Sequence, residues 1–170
     1  QGTGATVLGS NYNGTSSGPV NEDVYICATP TINVTSSSSF SICNGSSVIL
    51  TAVGASSYTW SNGATTNTIS VSPTSTTNYS IVGFDSGCSG TRNLTINVNP
   101  LPTITVVPSS VAICSGATAT LTAGGASTYT WTSGPTSATY PVSTAGVYTV
   151  TGTNSNGCVN TRTVSLTVNP

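Results

Sequence analysis

The sequence predicts an all-β protein: two tandem antiparallel β-sandwiches behind a β-rich N-terminal extension. Three observations carry that expectation. Short runs of β-branched and aromatic residues alternate apolar with polar, and Gly, Pro, Asn and Ser clusters punctuate them. The whole pattern occurs twice, with a period of about 70 residues. No helical period or capped helix interrupts it.

The repeat can be followed along its full length. PTINV at Pro30 to Val34 returns as PTITV at Pro102 to Val106. SICNGSSVILTA, Ser41 to Ala52, returns as AICSGATATLTA, Ala112 to Ala123. GASSYTWSNG, Gly54 to Gly63, returns as GASTYTWTSG, Gly125 to Gly134, with seven of ten positions identical. NYSIVGFDSGC and VYTVTGTNSNGC follow, the second carrying one inserted residue, and both repeats close on V-N-P. The division expected is an extension over 1–27, a first repeat over 28–100 and a second over 101–170.

Within the first repeat the expected strands are VILTAV, YTW, TISV, YSIV and LTINV, giving a sandwich of about seven strands per repeat. Asp85 with Ser86 reads as a turn between two of them. The linker from Val98 to Thr103, VNPLPT, holds two prolines and should hold neighbouring repeats in a semi-rigid stack.

A domain of about 60 residues buries only about 60% of its unfolded surface, so each repeat benefits from a staple. Cys43 and Cys88 occupy the same repeat positions as Cys114 and Cys158. Pairing within each repeat is the preferred expectation, with cross-repeat pairing such as Cys43 to Cys158 as the rival, because spacing does not fix connectivity. Cys27 is left over, either as a free thiol or as a link to another chain. The segment before it holds two apolar runs, ATVLG and DVYIC, around a Gly/Asn/Ser-rich middle. It reads as a leader, as the last hairpin of a preceding repeat, or as a polymerisation strand that adds to a neighbour's sheet edge.

Composition narrows the function. Glu22, Asp23, Asp85, Arg92 and Arg162 are the only charged side chains, 3% of the chain against about 25% in an ordinary domain. Thr (33) and Ser (28) supply the surface polarity instead. Two arginines cannot neutralise a run of phosphates, which excludes nucleic acid as a partner. Without His or Lys no serine has a standard base, so no catalytic residue is nominated and the protein is read as a non-enzyme. Three carboxylates make no metal cage, and no cofactor is expected. No apolar run is long enough for a transmembrane helix. A net charge of −1 gives little repulsion between copies, so self-association is expected.

Trp60 and Trp131 could be exposed sugar platforms or buried plugs. The Y-x-W alternation puts Tyr58 with Trp60, and Tyr129 with Trp131, on one strand face, and all four are assigned to the core. Arg92 and Arg162 recur at one repeat position as an exposed charge or a carbonyl contact.

The pattern IC-x-G, LTA-x-GA-x-x-YTW, then GC with a following T-R and a closing V-N-P resembles the immunoglobulin-like, PKD-like tandem repeats of secreted Bacteroidota surface proteins. Those include gliding-type adhesins and proteins exported by the type IX system. The resemblance covers residues 28–170 and implies immunoglobulin-like sandwiches, a secreted or cell-surface location, and no catalytic residues. The function expected is a structural building block of a filament, stalk or adhesin. The alternative is a carbohydrate-binding accessory module of a larger secreted protein, making glycan or surface contacts.

Overall fold

In the computed structural model, residues 5–7 and 26–170 are described; they contain sixteen β-strands and no helix. The polymerisation-strand expectation for 1–27 falls largely on residues outside the described ones. Its described parts, β1 (Ala5–Val7) and β2 (Ile26–Ala28), pair antiparallel, with Thr6 opposite Cys27.

The chain forms two compact units. The first takes the described residues up to Ile42 together with Ser46–Asn97; the second takes Cys43–Gly45 together with Val98–Pro170.

The first repeat contributes a three-stranded sheet in the order β3 (Asn33–Ser36), β5 (Val48–Val53), β7 (Thr68–Val71). Its four-stranded sheet runs β4 (Ser41–Cys43), β9 (Cys88–Asn99), β8 (Thr77–Asp85), β6 (Ser57–Trp60). The second repeat follows the same plan. Its small sheet is β10 (Thr105–Val107), β12 (Ala119–Gly124), β14 (Thr139–Val142). Its large sheet is β11 (Val111–Cys114), β16 (Val159–Asn169), β15 (Gly146–Thr153), β13 (Thr128–Trp131). Each repeat is an immunoglobulin-like sandwich.

The alternation read from sequence is what builds the core. In β5 the residues Val48, Leu50 and Ala52 are buried and the ones between face outward. The core of the second repeat draws Val106, Leu121 and Val142 from the small sheet and Trp131, Val150, Val164 and Leu166 from the large one. Burying each such aliphatic side chain contributes roughly 1.5–3 kcal/mol. No buried side-chain polar atom lacks a partner among the described residues.

One pairing departs from an all-antiparallel sandwich. β11 lies parallel to β16, with Val111 opposite Leu166 and Cys114 opposite Asn169. The chain gets there by leaving the small sheet after Val107, where Pro108 has no N–H to continue a ladder, and joining the other sheet at Val111. This crossing decides where the cysteines fall.

Turn chemistry is local and differs between repeats. Ser86 (φ 48°) and Gly87 (φ 84°) join β8 to β9 as a two-residue hairpin turn with both residues at positive φ. In the second repeat the inserted residue makes a longer turn. There the Asn154 side-chain oxygen accepts from the N–H groups of Asn156 and Cys158, both at 3.0 Å.

Candidate functional site: the tyrosine–tryptophan strands and the cysteine corners

The GAS-x-YTW stretch is an internal structural device. Its glycine sits at positive φ, 105° at Gly54 and 90° at Gly125. A Cβ there would run into the carbonyl oxygen of Thr31 or Thr103, so only glycine lets the corner close on the first strand. The alanine that follows is gripped by the tyrosine. Tyr58 Oη donates to Ala55 O and accepts from Ala55 N–H, both at 2.9 Å. Tyr129 and Ala126 make the same reciprocal pair at 2.8 Å.

Trp60 and Trp131 are each 2% exposed. Their indole N–H groups donate to Thr66 O at 2.9 Å and Ser137 O at 3.1 Å, which settles the one polar atom each ring takes inside. Tyr58 is buried and Tyr129 half-buried against the core. The tryptophan rings therefore present no face to a ligand.

A feature absent from the sequence reading is the edge-on chain of rings in the second repeat. Trp131 meets Tyr140 at 5.6 Å, and Tyr140 meets Tyr148 at 5.5 Å. Tyr140 has Ile69 at its repeat position, so the repeat itself gave no signal for it. Arg92 and Arg162 are exposed on β9 and β16.

The cysteines correct the preferred expectation. Cys27 is bonded to Cys88, with Cα atoms 5.8 Å apart, and Cys43 is bonded to Cys158, with Cα atoms 5.5 Å apart. Cys114 is a free, exposed thiol, and Cys27 is spent within the chain and not left over. Geometry rules out pairing within a repeat. Asn44 N–H donates to Asn99 O at 2.9 Å, which fixes Cys43 beside the last residue of β9, whereas Cys88 is the first residue of that strand. Eleven residues of strand at about 3.3 Å each separate them by roughly 36 Å. A disulfide needs Cα atoms within about 7 Å. Cys114 opposite Asn169 and Cys158 just before β16 stand in the same relation.

The two bonds follow one rule. Each joins the Gly-Cys cysteine of a repeat to a cysteine from the sequence before that repeat's first sheet strand. Cys27 holds the repeat position of Asn99. In the second unit the sulfur of Cys158 lies 4.0 Å from Asn99 O, and Cys43 reaches it from the neighbouring corner. Two side-chain amides reinforce this region: Asn154 donates to Pro100 O and Asn160 to Pro102 O, both at 3.0 Å.

Among the described residues no three His, Cys, Asp or Glu side chains gather in a group able to hold a metal. No described helix is long and apolar enough to cross a membrane.

No family profile and no curated protein matches the sequence. Among solved structures, the chain is similar to three N-terminal domains of the highly immunogenic outer capsid protein of bacteriophage RB49. That likeness has 18% identity and a TM-score of 0.43, over 82% of this chain and 59% of that one. It is similar to the N-terminal eight Ig domains of Down Syndrome Cell Adhesion Molecule at 15% identity and a TM-score of 0.46, over 84% of this chain and 25% of that one. It is also similar to an I-band fragment of titin at 14% identity and a TM-score of 0.39, over 84% of this chain and 66% of that one. The chain thus spans about three fifths and one quarter of the first two.

Proposed function

We propose that the chain is a non-enzymatic, extracellular structural protein, a building block of a surface filament, stalk or adhesin. The observation that carries this reading is the Cys43–Cys158 bond, which closes a sequence separation of 115 into one covalent ring drawn from both repeats. Tension applied to the two ends of the chain passes from Cys43 to Cys158 through sulfur. Residues 44–157 are then shielded from extension, which is the property a tether or stalk needs.

Two further facts support the reading. Two disulfides in one chain fit an oxidising, extracellular setting. A surface of hydroxyls and amides, with five charged side chains in all, lets copies pack closely without charge repulsion. A sugar-binding module would display ring faces in a row, whereas Trp60 and Trp131 turn theirs inward.

Negative-stain imaging of the purified native material tests this reading. Regular fibres are expected; dispersed short rods at high concentration would contradict assembly.

A further inference from the structure

The first repeat contains a corner that is spent on the second, and the second repeat contains the same corner unspent. Ile42-Cys43-Asn44-Gly45 and Ile113-Cys114-Ser115-Gly116 share the IC-x-G pattern. Both end a strand that lies beside the last strand of its own sheet. Asn44 N–H donates to Asn99 O at 2.9 Å, and Ser115 N–H donates to Asn169 O at 2.9 Å. Gly45 and Gly116 adopt the same backbone, with φ of 86° and 84°. Each acceptor asparagine is followed by proline, Pro100 or Pro170.

The difference is chemical. Cys43 is half-buried and bonded to Cys158, and its corner, Cys43–Gly45, belongs to the second compact unit. Cys114 is exposed and free. The first corner therefore shows, within this chain, what ligand such a corner takes: the Gly-Cys cysteine of the repeat that follows.

We propose that Cys114 is a coupling site for the Gly-Cys cysteine of a further immunoglobulin-like repeat of this kind, following Asn169–Pro170 as the second repeat follows Asn99–Pro100. The bond forms between two thiols, which together give up two protons and two electrons. A small-molecule disulfide such as oxidised glutathione accepts them and leaves as two thiols, so the step balances. Repeats of one array are then stitched in order, each Gly-Cys cysteine to the corner before it. This inference rests on the array reading of the function.

The test is a chain in which residues 101–170 are repeated once after Pro170, produced with reduced and oxidised glutathione and digested without reduction. Without coupling it carries three alkylatable thiols: Cys114 plus two appended ones. With coupling it carries one, and a linked peptide joins Cys114 to the appended counterpart of Cys158. In C114S that appended cysteine should become alkylatable while the tryptophan emission stays that of a buried ring, showing a folded third repeat. Cys114 recovered alkylated, or bonded to Cys114 of another chain, overturns the proposal. Fibres imaged from material whose Cys114 refuses the bond would sink the coupling alone. A Cys114 bond formed in chains that never assemble would sink the array reading instead.

Discussion

Cys43 and Cys88 stand at opposite ends of β9 and cannot meet, and each is bonded to a cysteine outside its own sequence repeat pattern. The staples therefore do not close each sandwich on itself. They tie a repeat to the segment before it.

Removing either bond should be costly. In the chain-entropy model a closed loop of 115 residues is worth about 5 kcal/mol and one of 61 residues about 4 kcal/mol. C43S and C88S should both lower the guanidinium midpoint, and C114S should leave it unchanged within error, because that thiol has no partner.

Extension under force should report the covalent ring directly. An oxidised chain pulled from its termini should release no length from residues 44–157. Reduction should add roughly 400 Å of contour, from 115 residues at about 3.5 Å each. Single-molecule pulling before and after reductant gives both lengths from one preparation.

The buried indoles should behave as core and not as ligand platforms. W60A and W131A should each destabilise by about 3–5 kcal/mol, read from denaturant unfolding. Y58F removes the reciprocal bond to Ala55 and leaves that N–H without the acceptor it now has, a loss of about 1–3 kcal/mol.

Much of this was legible in the sequence because it depends on local pattern. The alternation in VILTAV and YTW is a period of two, so it names the inward face of β5 and of β6 before any partner is known. The glycine before AS-x-Y and the DSG turn are backbone requirements that only a few residue types meet. The choice between cysteine pairings was only half legible: Cys43 to Cys158 stands among the alternatives the sequence offers, but deciding for it over pairing within a repeat depends on where the chain switches sheets. Placing β11 parallel to β16 puts Cys114 at one end of a long strand and Cys158 at the other, and spacing along the chain carries no trace of that. Tyr140 escaped for a related reason: its contacts with Trp131 and Tyr148 belong to one repeat only.

Salt should matter little. With two arginines and three carboxylates in the whole chain, screening has few pairs to weaken. Unfolding midpoints at low and high sodium chloride should agree, apart from the general strengthening of apolar burial by salting-out ions. A large loss of stability on adding sodium chloride would contradict a fold held by core packing and sulfur.

The connectivity of the five cysteines is the decisive measurement for the covalent ring. The 170-residue chain, with no repeat appended, should be alkylated without reduction, digested, and its linked peptides sequenced by mass spectrometry. Cys27 should be found with Cys88, Cys43 with Cys158, and a label on Cys114 alone. Peptides joining Cys43 to Cys88 and Cys114 to Cys158 would contradict it, and would take the shielded covalent ring with them.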